Sequence, residues 1–166
     1  MAEDDIFHRV FEPGADPEKA SLLSENEREL AVERFAALVD EVIAPVMESV
    51  GRELQQEGHG FEVVRDTKGL PPQICMKISF KGEEYTGGLE PSGIKYALDL
   101  DSGKVRMGGW ITIPSKKNYQ KVLAVALAAM DYVTAQRVEA RVRSFYEEIR
   151  ELTEARDRTV HIPVRK

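Results

Sequence analysis

Between Phe35 and Leu54, a stripe of apolar residues occurs at every third or fourth position, which is the spacing of one face of an α-helix. Ser24, followed three residues later by Glu27, is a capping-box sequence that predicts where this helix begins. Pro45 lies inside the stripe, and because proline has no N–H it is expected to remove one backbone hydrogen bond and kink the helix. We predict one interrupted helix that ends near Gln56.

The middle of the chain changes to alternation of apolar and polar residues, which is typical of half-buried strands. The alternation and the intervening turn residues predict strands over 61–65, 73–80, 83–86, 94–100 and 104–113. Because the turns are too short for crossover connections, we expect an antiparallel meander of four to five strands. With a long helix on either side, the predicted class is α+β, with both helices packed on one face of the sheet.

The last pattern predicts one unusually long helix from Ser115 to about Asp157. Its first part, 122–130 (VLAVALAAM), is apolar on every side, as in a helix buried in a core. Its second part carries a row of apolar residues at alternating three- and four-residue steps, which is typical of a helix–helix seam. Such a helix of roughly forty residues far exceeds the usual length, so the row needs a partner, either the first helix or a second copy of the chain. The row consists of Ala135, Val138, Val142, Phe145, Ile149 and Leu152.

The composition of the 166 residues indicates how the chain is divided into segments. We predict a flexible acidic arm over 1–23, a single domain over 24–157 and a short tail over 158–166. One cysteine excludes an internal disulfide framework, and the chain has neither a signal-peptide pattern nor an apolar run long enough for a bilayer, so a cytoplasmic protein is expected. The net charge is −6, and residues 1–60 hold 15 acidic and 5 basic groups, so the acidic surplus precedes the sheet.

Strand alternation also predicts a candidate binding surface on the sheet face turned away from the helices. Lys77, Lys95 and Arg106 fall on this face, and so does Trp110, the one tryptophan of the sequence. Aromatic rings among cations on an open sheet are how several modules stack bases or hold partners. A glycine pair directly before Trp110 is typical of a β-bulge, however, and a bulge reverses the alternation. We therefore expect Trp110 to turn into the core or to be covered by a loop.

Catalytic and cofactor motifs are missing from the sequence. Neither glycine pair belongs to a phosphate-binding pattern, no nucleophile elbow occurs, and the three histidines lack metal-ligand spacing. We expect no metal, no cofactor and no catalytic residue. A second glycine pair follows Tyr85, and a backbone of this kind lets a ligand approach closely.

These patterns favour a non-enzymatic interaction or assembly domain, a homodimer or a subunit bound to another protein, that associates through its long C-terminal helix. Two alternatives stay open. One is a small-molecule or enzymatic pocket near Tyr85, Tyr96 and Trp110, with Lys95 and Asp99. The other is nucleic-acid binding through the basic sheet face, which the overall acidity disfavours. The helix–sheet–helix order resembles frataxin-like domains, among other small folds, but none of their motif residues is present and the order alone implies no function.

Overall fold

The computed structural model describes the backbone of residues 22–161 and the side chains up to residue 155. It confirms the predicted α+β class, an antiparallel sheet whose apolar face is packed against the helices. Most of the predicted arm, and residues 162–166 of the predicted tail, lie outside the described residues. The elements in chain order are α1 Glu25–Leu38, a π-helical turn Val39–Ile43, α2 Ala44–Gln56, β1 Gly60–Asp66, β2 Gln73–Ser79, β3 Ser92–Leu98, β4 Val105–Ile113, β5 Tyr119–Val122, β6 Ala126–Ala128, a 3-10 turn Met130–Tyr132 and α3 Ala135–His161.

The first helix begins as its sequence predicts. The Glu27 N–H donates to the Ser24 hydroxyl at 3.1 Å, and the Ser24 N–H donates to the Glu27 carboxylate at 2.9 Å, which completes the capping box. The predicted interruption is a single π-helical turn, in which the Ala44 N–H donates to the carbonyl of Val39. This turn lies where Pro45 cannot supply a donor, so the backbone changes its hydrogen-bond spacing there.

The strands form one sheet in the order β1-β2-β3-β4-β5, and β6 pairs with β4 on the same side as β5. The apolar phases of β2, β3 and β4 make the inner face and are buried against the helices: Ile74, Met76, Ile78, Ile94, Tyr96, Leu98, Val105, Ile111 and Ile113. The short strand predicted over 83–86 is wrong, because this segment lies in the loop between β2 and β3 and pairs with no strand.

The predicted helix from Ser115 is also wrong over its first twenty residues. After β4 the chain reverses through Lys117 and Asn118, whose φ angles of 54° and 57° are incompatible with a right-handed helix. Residues 119–122 and 126–128 then pair with the free edge of β4 as β5 and β6, and Met130 begins the 3-10 turn, so the run 122–130 does not form a buried helix. Helical propensity favours this alanine- and leucine-rich run, but pairing with the unpaired edge of β4 decides its conformation.

From Val138 onwards, the apolar row of α3 is covered by residues of the same chain, whereas Ala135 at its start is exposed. Val138, Val142, Phe145 and Ile149 are buried in the core, and Leu152 packs against its margin. Because α3 lies across α2, the π-helical turn, β3 and β4, this row does not need a second chain to cover it. Helix α3 also continues to His161, past the predicted end at Asp157, so the backbone of residues 158–161 of the predicted tail is helical.

Candidate functional site

The outer face of the sheet brings together four of the predicted binding residues. Lys77 of β2 and Trp110 of β4 both lie opposite Gly93 of β3, so they flank it in one cross-strand row. Lys95 lies in the next row opposite Gly108, and Arg106 follows opposite Ala97. The sequence alternation therefore placed these residues on one face, across three neighbouring strands.

Trp110 lies on this outer face, so the glycine pair before it does not turn its side chain to the inner face as expected from the sequence. The pairing of β3 with β4 runs without a break from Gly93 opposite Trp110 to Leu98 opposite Val105. The indole N–H donates to the carbonyl of Pro91 at 2.8 Å, and the six-membered ring lies over Gly93. A Cβ at position 93 would lie 2.5 Å from the ring, so only glycine leaves room for this arrangement.

The cations of the outer face are mostly neutralised. Lys77 pairs with Glu90 at 3.5 Å, and Arg106 pairs with Asp99 at 3.6 Å. Lys95 forms no ion pair with the part of the chain that the structure describes. A surface of this kind lacks the uncompensated positive charge on which nucleic-acid affinity depends, and it disfavours that alternative.

An uncovered apolar patch borders Trp110 at the edge of the sheet. Val122 is 81% exposed, Val125 57% and Leu127 49%. Val122 lies directly opposite Trp110, Leu127 opposite Arg106, and the methyl groups of Val125 approach Gly108. We call Trp110, Val122, Val125 and Leu127 the outer corner. Contiguous exposed apolar side chains of this size mark an interaction surface more often than isolated ones do.

A bulge in the edge strand shapes the outer corner. Trp110 pairs with Val122, whereas Met107, three residues earlier in β4, pairs with Ala126, four residues later in the edge strand. The edge strand therefore holds one extra residue over 123–125, opposite the glycine pair of β4. The sequence did predict a bulge near these glycines, but the extra residue lies in the neighbouring strand.

The outer corner, except for Trp110, was missed by the sequence interpretation because 122–130 was assigned to a buried helix. Two signals favour the observed structure. The β-branched Val122 and Val125 suit a strand, and the turn-forming Asn118 precedes them.

The pocket proposed from sequence is not assembled. Tyr96 points to the inner face and is buried, whereas Trp110 and Lys95 lie on the outer face. Tyr85 lies in the loop between β2 and β3, where its hydroxyl accepts a hydrogen bond from the Phe80 N–H at 3.2 Å. Burial raises the pKa of the Tyr85 phenol, and this side chain anchors the loop.

Cys75 lies on the outer face between Val64 of β1 and Lys95 of β3, and it is buried there. Burial raises the pKa of its thiol to about 11, against the opposing effect of the charges of Lys77 and Lys95. A thiol of this pKa is almost entirely protonated at neutral pH, so Cys75 is a poor nucleophile.

A buried histidine that carried no sequence signal links two helices to the sheet. The Lys81 N–H donates to Nδ1 of His59 at 3.1 Å, which leaves Nε2 to donate to the Tyr146 hydroxyl at the same distance. The ring also contacts Phe80, with 4.4 Å between centroids. Desolvation and the charge of Lys81 lower the pKa of His59, against an opposing effect of Glu57. This cluster joins the end of α2 to β2 and α3 and has a structural role.

No protein-family model, curated protein or solved structure matches this chain. None of the described helices combines the length and apolarity needed to cross a membrane. Among the side chains that the structure describes, which end at residue 155, no three from His, Cys, Asp or Glu are grouped closely enough to hold a metal ion.

Proposed function

We propose that this chain is an assembly domain that self-associates through the outer corner. One observation carries the proposal: three large apolar side chains of the edge strand are uncovered, beside the half-buried Trp110, at the end of an otherwise well-packed sheet. Edge strands of monomers usually carry charged residues that discourage association. Here the segment from Val122 to Met130 contains no charged residue.

A second copy of the chain is the partner that the outer corner suits best. A two-fold axis brings the same patch of each copy together, and an all-apolar patch is complementary to itself. Like-charge repulsion is small, because Lys77 and Arg106 are already paired with carboxylates of their own chain. The bulge interrupts the regular edge, so we expect contact through side chains and not through a long continuous sheet.

The proposal replaces the surface predicted from sequence, since the apolar row of α3 is already covered. Burying a fully exposed Val or Leu side chain contributes about 1.5–3 kcal/mol, and the three edge-strand side chains are between 49% and 81% exposed. Association also has a substantial entropic cost. We therefore expect a dimer whose population depends on protein concentration in the micromolar range.

Molar mass measured over a dilution series by light scattering or sedimentation tests the proposal. The wild-type mass should rise with concentration from the 18.7 kDa of one chain towards twice that value. Val122→Lys and Leu127→Lys should keep the chain monomeric, since each places two charges in the interface. Leu30→Lys is the matched control, because Leu30 is an exposed leucine of α1, and it should associate like the wild type. A wild type that stays monomeric, or lysine variants that associate normally, would overturn the proposal.

A further inference from the structure

A cavity of about 310 Å³ lies on the helix side of the sheet, opposite the outer corner. Its floor is the inner face of β3 and β4 at Tyr96 and Met107, and one wall is the first turns of α3. The exposed Tyr132 and Arg137 form its mouth, with the guanidinium 5.1 Å from the centroid of the tyrosine ring. Apolar atoms of Met107, Ala128, Val133 and Val138 line most of the interior.

Two polar groups in this cavity have no partner. Tyr96 is 1% exposed, and its hydroxyl, which opens onto the cavity, forms no hydrogen bond with any described residue. Arg141 has a buried Nε–H that likewise finds no acceptor. Buried polar groups in native structures are nearly always hydrogen-bonded, so the buried Nε–H of Arg141, next to an unpaired phenol that opens onto the same cavity, needs an explanation.

Both groups are donors, and the local charge is positive. Six of the nine arginines whose side chains are described form ion pairs, but Arg137 and Arg141 form none. They lie one helical turn apart and so share a face of α3. Among the described residues, this cavity therefore combines a phenol, a buried guanidinium N–H and two uncompensated positive charges, in a chain whose net charge is −6.

We propose that this cavity binds a small monocarboxylate with an apolar body. The carboxylate accepts hydrogen bonds from Tyr96 and Arg141, and its apolar part lies against Met107, Ala128 and Val138. At about 30 Å³ for each water-sized group, the cavity holds roughly ten non-hydrogen atoms, which is the size of octanoate. The site faces away from the outer corner, so it stands independently of self-association.

Binding of three probes of one chain length, octanoate, octanol and octylammonium, tests the proposal by ligand-observed NMR or calorimetry. Octanoate should bind most tightly, octanol weakly and octylammonium not at all, because only the carboxylate offers two charged acceptor oxygens to the two donors. Octanol or octylammonium binding as tightly as octanoate would show a merely apolar cavity and would overturn the proposal. So would the absence of octanoate binding.

Three variants connect the binding to these residues. Arg141→Met keeps the apolar stem of the side chain and should weaken octanoate binding about tenfold or more, the usual effect of losing a charge-assisted hydrogen bond. Tyr96→Phe should weaken it about two- to tenfold and should leave the protein folded, since the hydroxyl has no partner in the protein. Arg143→Met is the matched control on the same helix, because Arg143 pairs with Glu53 and Glu139 and does not line the cavity. Unchanged affinity in Arg141→Met, or equal loss in Arg143→Met, would contradict the assignment.

Discussion

Replacement of Gly51 by alanine tests the close packing of α2 on β1. From sequence alone, Gly51→Ala in the middle of a helix should stabilise the protein by about 0.5–1 kcal/mol, because alanine is the better helix former. In the structure, the added Cβ would lie 2.3 Å from Cδ2 and 2.6 Å from Cγ of Phe61. Ordinary contact begins at 3.4 Å, so the helix and the strand must separate by about 1.1 Å. Rotation of the ring does not relieve the overlap, because Cγ lies on the rotation axis.

Overpacking of this kind costs about 1–3 kcal/mol, which exceeds the gain in helix propensity. We therefore expect Gly51→Ala to lower the free energy of unfolding by about 1–2 kcal/mol, measured from urea unfolding curves of unchanged slope. In the Phe61→Ala background the same substitution should instead stabilise the protein, because the ring is gone. Stabilisation by Gly51→Ala in the wild type, or an equal effect in both backgrounds, would refute this account of the packing.

Three further predictions concern single side chains. Phe145→Ala should lower the free energy of unfolding by about 3–5 kcal/mol at every protein concentration, because the ring is buried within one chain. If urea titrations show a loss of stability that depends on protein concentration, the Phe145 ring lies in an interface between chains instead. His59 has a folded-state pKa below its ordinary value of 6.5, so the unfolded chain binds more protons near that pH. Relative to His59→Gln, the wild type should therefore lose stability as the pH falls from neutral to 5. A difference in the free energy of unfolding between the two proteins that does not change with pH would contradict this. In the folded protein at pH 8, Cys75 should react with iodoacetamide about a hundredfold more slowly than a thiol of pKa 9.0. In urea it should react at the rate of that reference thiol. Fast labelling of the folded protein would show that the thiol is accessible.

The parts of the fold that sequence predicted correctly depend on neighbours in the chain. The capping box needs only Ser24 and Glu27, three residues apart, and the alternation in β2, β3 and β4 records which face each side chain occupies. The presence of Lys77, Lys95, Arg106 and Trp110 on one face followed from that alternation.

The parts that sequence interpretation missed depend on partners distant in the chain. Residues 122–130 have a helix-forming composition, yet Val122 and residues 126–128 are in strands because they pair with the free edge of β4. The sequence left open whether the first helix or a second copy of the chain covers the row on α3, and in the structure α2 and the sheet cover it. The cavity beside Tyr96 also could not be predicted, since the groups that line it come from β3, β4, β6 and α3.

Fluorescence of Trp110 is the most direct test of the central claim, because it reports which surface is covered and not only whether the chain associates. Trp110 is the one tryptophan of the sequence and lies in the outer corner. As wild-type protein is concentrated, acrylamide quenching of its emission should fall and the emission should shift to shorter wavelength, whereas Leu127→Lys should show neither change. If the wild-type mass rises while the quenching of Trp110 stays constant, a different surface mediates assembly and the proposed interface is wrong.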